Sequence, residues 1–499
     1  MCLKFKVLLV FLFMATAAFA QGRQQALATY FSALSRHHRF NGNVLVAENG
    51  KIVYEQAFGF ADFASERPNT LASTFPIASI TKTVTSTAVL QLQEQGKLQV
   101  GDPVKKYLPD FPYPTITIRH LLSHTSGLPP YDDLFESLRK AHPATVFTNK
   151  DVLPRYAALH LPLLYSPGEQ GNYDNINYIF LAILIEKVAG ISFQEYLQKH
   201  VFAPAGMTQT ILPDFAIYYY TAQEKTHSST LYYYPHLYSA SLVKADTVGF
   251  ISTYWHSYKF KGFGEILTTE RDLLKFDQAL AHGRLLQQAT MQIAYKPVLL
   301  ANGKDNPNRA GLGWMMEEQN PLGEIVKHSG GLIGLRSILL RNLTKHQTVI
   351  LIDNTQNEVN GYAEAALRIL DGQSINPLGE SGARIFGSTL VSKGSSEAKS
   401  ILSTMRHDPA TYLLDENEFN ALGYDFLGVH KSVEALETFK VNTELFPTSW
   451  NVYDSYGEAL AQQKQKEEAI QMYQKSIALN PDNTGGRKAL EQLLKGAAQ

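Results

Sequence analysis

The 499-residue chain is 44% hydrophobic, 18% charged and 11% aromatic, with 34 glycines and 22 prolines, which excludes a disordered or collagen-like polymer. Its formal net charge of -1 excludes a polybasic nucleic-acid binder, so no nucleic-acid partner is expected. The length suits about two or three domains.

The first stretch has the layout of a secretory leader. Lys4 and Lys6 precede the apolar run Val7 to Phe13, and small residues follow at Ala18-Phe19-Ala20. Cleavage there predicts a mature chain from Gln21, with 43 basic against 46 acidic residues because two lysines and no acid are lost. The only cysteine, Cys2, leaves with the leader, so an exported mature chain relies on core burial rather than disulfides. An uncleaved anchor is the alternative, but the apolar run is well short of the ~20 residues that span a bilayer, as is every later stretch.

Asn43 to Ala47 and Lys51 to Gln56 flank Asn49-Gly50, which predicts a hairpin. Apolar residues at helical spacing predict helices over Thr81 to Gln95 and Asn177 to Ala189. Strand patterns return at Glu324–His328, Leu335–Arg341 and Thr348–Asp353. The expected class is α+β, with the first hairpin and the last three strands in one antiparallel sheet and the helical middle of the chain packed against it.

Beyond Leu370 the composition changes. Gly372, Gly379, Gly382, Gly387 and Gly394, interspersed with serines, read as a linker over residues 373–395. A shift of 34 residues then superposes Phe419 on Tyr453, Gly423 on Gly457, Ala435 on Ala469, Phe439 on Tyr473 and Pro447 on Pro481. That is the period and pattern of tetratricopeptide (TPR) repeats, so residues 396–499 are expected to form an all-α TPR-like domain. Two units span about 416–483, with further helices near Ser396 to Arg406 and Thr484 to Leu494 completing the stack.

The chemistry lies in three ordered motifs. Ser79-Ile-Thr-Lys82 puts a serine at the start of a long helical pattern with a lysine nearly one turn later. The same S-x-x-K spacing recurs at Ser137, Ser241 and Ser396, so spacing alone is weak. Order separates them: Tyr173-Asp-Asn175 lies 94 residues past Ser79, and His328-Ser-Gly330 lies 155 residues further. Only Ser79 both precedes the tyrosine motif and opens an apolar helix.

These motifs resemble the serine β-lactamase and penicillin-binding protein superfamily, in its class C-like branch of carboxypeptidases, D-aminopeptidases and esterases. Leu121-Leu-Ser-His-Thr-Ser-Gly-Leu128, Gly311-Leu-Gly-Trp314 and Gly330-Gly-Leu-Ile-Gly334 support the resemblance. It implies a β-lactamase/transpeptidase-like domain over residues 21–372, with an antiparallel sheet and a helical subdomain. By position, it also implies that Ser79 is the acylated nucleophile, Lys82 its neighbouring cation or base, and Tyr173 a proton shuttle. Asn175 would hold Lys82 and the substrate amide. The backbone N–H groups of Ser79 and Gly331 would form an oxyanion hole, with His328 and Gly330 lining the strand beside it. How the base role divides between Lys82 and Tyr173 stays open. A tyrosine beside an ammonium is expected to titrate below its usual value of about 10.

Two departures matter. His328 stands where many β-lactamases have the lysine of K-T-G, which replaces a permanent cation by a group mostly neutral at pH 7 and favours the peptidase and esterase branches. Asp174 adds a carboxylate that either faces Lys82 or faces solvent. His124 reads as a buried histidine bonded to a backbone carbonyl, and Arg336 as half of a structural ion pair rather than a binder of substrate carboxylate. The aromatic segment Asp214 to Phe263 reads as a cleft lining or a packed lid.

The expected function is an exported serine hydrolase, periplasmic or secreted, acting on an amide or ester of peptide or D-amino-acid type. The alternatives are β-lactamase activity as the main role, or a non-catalytic penicillin-binding-like module that recruits partners through its tail. The expected partners are a small peptide, ester or β-lactam substrate and a protein docked on the tail. No zinc spacing, P-loop or dinucleotide fingerprint calls for a metal or cofactor.

Overall fold

The computed structural model describes residues 21–213, 227–249, 257–307, 309–376 and 379–495. The predicted leader, and Tyr218 to Tyr220, Tyr254 and Trp255 of the aromatic segment, lie outside the described residues. The chain divides into two compact units. One comprises Met1–Ser35, Phe40–Tyr233 and Lys244–Ile375, and the other Arg36–Arg39, Tyr234–Val243 and Asn376–Gln499.

The first unit is α+β. Its sheet has six strands, in spatial order Met315–Met316, Ile325–Leu332, Leu335–Asn342, Gln347–Asp353, Gly42–Glu48 and Lys51–Phe58. Every neighbouring pair is antiparallel, and the hairpin turns through Asn49 and Gly50, both at positive φ. The strand Gln347–Asp353 is buried at every residue, as a central strand covered on both faces must be. The helices Glu270–Ala281 and Asn360–Leu370 pack against it. At the sheet edge, Met315–Met316 pairs only with Lys327 and Val326. Among the described residues, the outer edge of the long strand therefore has no strand partner from His328 onward.

The helix Thr81–Glu94 is buried from Thr81 to Leu92 although it is rich in hydroxyls. Burial is possible because those hydroxyls are all engaged. Thr83 and Thr87 donate to the carbonyls of Ile80 and Thr83, each at 2.8 Å, Thr85 to that of Gly262 at 2.7 Å and Ser86 to that of Leu312 at 2.6 Å. Among the described residues no single helix is long and apolar enough to cross a membrane.

The second unit is helical. The hairpin Glu416–Gly428 and Ser432–Leu445 is followed by the hairpin Trp450–Gln462 and Lys466–Leu479, each helix starting 34 residues after its counterpart. A Cβ at Gly423 would lie 2.5 Å from the Phe439 ring, and one at Gly457 would lie 3.3 Å from Tyr473. The same glycine-on-aromatic contact thus closes both hairpins. Helices Ser395–Arg406 and Thr484–Lys495 flank them.

Residues 373–395 are not a simple linker, because they contain the helix Gly382–Lys393, whose Phe386 and Leu390 are buried in the core of the second unit. Gly387, expected in the linker, lets this helix approach Leu422, whose side chain would lie 2.8 Å from an added Cβ. Ser381 accepts the Arg384 N–H and caps the helix. Tyr234 and Tyr238 also belong to this unit, with Tyr238 stacked on Phe426 at 4.6 Å and Arg384 lying 3.7 Å over the Tyr234 ring.

Candidate active site

Ser79 lies in a single 3-10 turn, Ala78–Ile80, that runs directly into the helix Thr81–Glu94. Continuity between the two puts Lys82 one turn on, with its Nζ 3.0 Å from Ser79 Oγ. Ala78 has φ +46, a left-handed conformation that costs a non-glycine residue about 1–2 kcal/mol. Neighbouring contacts hold this turn. Ile77 N–H donates to the Ile266 carbonyl at 3.0 Å, and the Ser337 hydroxyl donates to the Ile77 carbonyl at 2.9 Å. The strand Ile325–Leu332 reaches the turn only because residue 330 is glycine: a Cβ there would stand 2.3 Å from the Ile77 oxygen and 3.0 Å from Ala78 Cβ.

Lys82 is fully buried, and its amine meets three acceptors: Ser79 Oγ at 3.0 Å, Asn175 Oδ1 at 2.8 Å and the Phe263 carbonyl at 3.0 Å. Asn175 and Phe263 occupy two of its N–H bonds in either charge state. The third position, toward Ser79, holds a proton in the ammonium and a lone pair in the amine. Burial pushes the Lys82 pKa down to about 7, against the opposing pull of the Glu265 and Asp174 carboxylates. The lysine thus sits at the balance between the two forms near neutral pH.

Tyr173 hydrogen-bonds Ser79, and its ring lies 4.8 Å from Lys82 Nζ. Its pKa is not lowered, contrary to the expectation for a tyrosine beside an ammonium. Burial raises it above 10, the Ser79 bond opposes this only in part, and Asp174 raises it further. Tyr173 is therefore a protonated hydroxyl. Its carrier segment is pinned by the Leu121–Leu128 stretch: the Asn172 N–H donates to the His124 carbonyl at 2.9 Å, Tyr178 Oη to that of Leu122 at 3.0 Å and Ser126 Oγ to Asn177 Oδ1 at 2.6 Å.

His124 is buried with its ring centroid 4.2 Å from that of Tyr173. Its Nδ1 accepts the Asp174 N–H at 3.3 Å, so it is an acceptor from backbone rather than the expected donor to a carbonyl. Asp174 is partly buried. Its Oδ1 accepts the Ile176 N–H at 2.9 Å, at the start of the helix Ile176–Ala189, while its charge acts on Lys82. His328 is buried, with Nδ1 2.8 Å from the Ser329 carbonyl, and burial reinforced by the Lys82 charge lowers its pKa to about 3. It is a neutral imidazole.

Gly331 follows on the outer edge of the sheet, exposed, with Arg336 opposite it on the neighbouring strand. Arg336 makes none of the ion pairs found among the described residues. Its Nη1 instead donates to the carbonyls of Leu332 and Leu335 at 3.2 and 3.1 Å, closing the turn between the two strands.

The structure therefore gathers Ser79, Lys82, Tyr173, Asn175 and His328 into one cluster and packs Gly330 beneath the serine turn. Three contributors carry no signal in the sequence. Phe263 acts through a backbone carbonyl, Glu265 lies two residues after it, and Tyr131 hydrogen-bonds the Asn175 side chain. The described aromatics of the 214–263 segment each have packing partners: Tyr232 meets Phe63 at 5.0 Å, and Tyr258 meets Phe260 at 5.3 Å.

Residues 17–373 match a family model described as Beta-lactamase. Penicillin-binding protein 4* of Bacillus subtilis (strain 168) is 33% identical over 357 residues, which is 71% of this chain and 77% of that protein. The crystal structure of a penicillin binding protein from Bacillus halodurans superposes with a TM-score of 0.57 at 27% identity, covering 68% of this chain and 99% of that one. A D-amino acid amidase from Ochrobactrum anthropi SV3 shares the fold, with a TM-score of 0.54 at 22% identity over 71% of this chain and 98% of that one.

Proposed function

The chain belongs to the beta-lactamase family and is a serine hydrolase, and from that premise we propose that it forms an acyl-enzyme on Ser79 and cleaves an amide or ester of peptide or D-amino-acid type. The observation that carries the proposal is the buried Lys82 amine 3.0 Å from Ser79 Oγ with a pKa brought down to about 7.

In the proposed cycle the Ser79 hydroxyl gives its proton to the neutral Lys82 amine as the oxygen attacks the substrate carbonyl. The oxyanion is held by the N–H groups of Ser79 and Gly331, in the gap that Gly330 permits. Collapse breaks the bond to the leaving group, which takes a proton from the Tyr173 hydroxyl, and the Lys82 proton, passed along the Ser79 oxygen that both groups face, restores that hydroxyl. Water then attacks the acyl-enzyme by the same route in reverse. Asn175 keeps Lys82 aligned throughout.

The substrate class rests on His328. A neutral imidazole beside the pocket offers no permanent cation for the carboxylate of a β-lactam, so peptide, D-amino-acid amide and ester substrates are favoured over rapid β-lactam hydrolysis. A panel of a cephalosporin, a D-Ala-D-Ala peptide, a D-amino-acid amide and an aryl ester tests this. The expected result is turnover of one of the last three above the cephalosporin, abolished in Ser79→Ala. A cephalosporin turned over fastest contradicts it. Export follows from the predicted leader, and Gln21 as the first residue of protein recovered from the cell envelope or medium tests that. The repeated hairpins of the second unit are offered as a docking module for a protein partner, tested by capture that the variant lacking residues 396–499 loses.

A further inference from the structure

Glu265 is 3% exposed, and its carboxylate accepts three successive backbone N–H groups: those of Gly262, of Phe263 at 3.1 Å and of Gly264 at 2.5 Å. Consecutive N–H groups turned toward one centre form a nest that suits an anion, and here the chain fills the nest with its own side chain. Turning the N–H groups inward sends the carbonyls outward. The Phe263 carbonyl reaches Lys82 Nζ at 3.0 Å, and the Gly262 carbonyl reaches Thr85 Oγ1 at 2.7 Å, both on the helix that begins beside Ser79. The first residue of the nest has to be glycine. Gly262 has φ +115, and a Cβ there would lie 2.4 Å from the Tyr178 carbonyl oxygen.

We propose that Glu265 is a positioning residue for Lys82, fixing the Phe263 carbonyl that aligns the amine toward Ser79 and supplying a buried negative charge that sets when that amine gives up its proton. The inference rests on Lys82 acting as the base of Ser79. The groups facing the amine are the Asp174 and Glu265 carboxylates, the neutral imidazoles of His124 and His328, and the phenols of Tyr173 and Tyr178. Of these only Asp174 and Glu265 are carboxylates, and both act on Lys82 in the direction that favours its ammonium. Glu265 exerts the larger of the two opposing pulls on Lys82.

The sign is fixed by charge. A nearby carboxylate favours the ammonium, so its removal lowers the pH at which Lys82 becomes a free amine. The test is the acylation rate of an aryl ester as a function of pH in wild type, Glu265→Gln and Glu265→Asp, with a thermal melt for each. In Glu265→Gln the acidic limb is expected to move to lower pH by about one to two units, as for one charge about 6–12 Å away at an effective dielectric of about 20. Its plateau rate is expected to fall by about tenfold, with KM little changed. Glu265→Asp keeps the charge but not the reach, so its rate is expected to fall with the limb unmoved. A folded Glu265→Gln whose limb coincides with wild type overturns the proposal. So do variants that both fail to fold, which would assign Glu265 a structural role alone. Failure of the underlying reading looks different: wild type would then show no Ser79-dependent acylation, or Lys82→Ala would retain the acidic limb.

Discussion

Lys82 Nζ stands 3.0 Å from Ser79 Oγ while Asn175 Oδ1 and the Phe263 carbonyl take its other two hydrogen bonds. This leaves one position on nitrogen for chemistry, and it faces the nucleophile. With the Lys82 pKa lowered to about 7, kcat/KM is expected to rise through an acidic limb near that pH as the ammonium becomes an amine. Lys82→Arg keeps a cation that never becomes a base, so activity is expected to fall by about 10²- to 10⁴-fold across the whole range. A wild-type pH profile that is flat through neutrality contradicts this.

Tyr173 enters as a proton donor, because burial raises rather than lowers its pKa. Tyr173→Phe keeps the ring against His124 and removes only the hydroxyl. Activity on an amide, whose leaving group needs a proton, is expected to fall by about 10²-fold or more. Activity on an aryl ester, whose phenolate leaves unaided, is expected to fall less. Equal losses on the two substrates would remove Tyr173 from leaving-group protonation.

Gly330→Ala tests the close approach of strand to nucleophile. The added methyl would stand 2.3 Å from the Ile77 oxygen, so the strand carrying Gly331 must retreat from the Ser79 turn. Acylation is expected to slow by about 10²- to 10³-fold, the cost of an oxyanion donor out of place, in a protein that still shows a cooperative melt. An unaltered acylation rate would show that the oxyanion is held elsewhere.

Much of the first unit is legible in the sequence because its signals are local. Asn49-Gly50 marks its hairpin, and the helices expected over residues 81–95 and 177–189 form over Thr81–Glu94 and Ile176–Ala189. The hairpin and the last three long strands do share one antiparallel sheet. What escapes is contributed by backbone or by long range. Met315–Met316 is too short to carry a strand pattern, and the helix Gly382–Lys393 hides in a glycine- and serine-rich stretch whose small residues serve helix packing rather than flexibility. At the site, Ser79 and Lys82 are readable as one helical turn, and Tyr173 and Asn175 through motif order. The Phe263 carbonyl has no residue-type signature, and Glu265 sits in a loop that reads as ordinary. The direction of the Tyr173 shift could not be read either, because it depends on how deeply three separate segments bury the phenol.

Away from the site, Glu270 makes stability depend on pH. It is fully buried, and its Oε1 accepts Asn43 Nδ2 at 2.8 Å, while Glu270 Oε2 and Asn43 Oδ1 have no hydrogen-bond partner as long as the acid is ionised. Protonation of the acid removes the buried charge. Burial raises the Glu270 pKa from 4.5 to about 7, so its contribution is fully present below about pH 4.5 and is lost as pH rises through about 7. The loss amounts to about 3 kcal/mol. The melting temperature of wild type is expected to fall between about pH 5 and pH 8 relative to Glu270→Gln, whose amide mimics the protonated acid. Parallel melting curves for the two proteins would contradict this.

Intact mass after treatment with a fluorophosphonate probe tests the nucleophile most directly. The expected result is one adduct per wild-type chain on the peptide that contains Ser79, with none on Ser79→Ala at the same exposure. A wild-type protein that stays unmodified while folded, or a Ser79→Ala variant labelled to the same extent, would contradict an acyl-enzyme at Ser79.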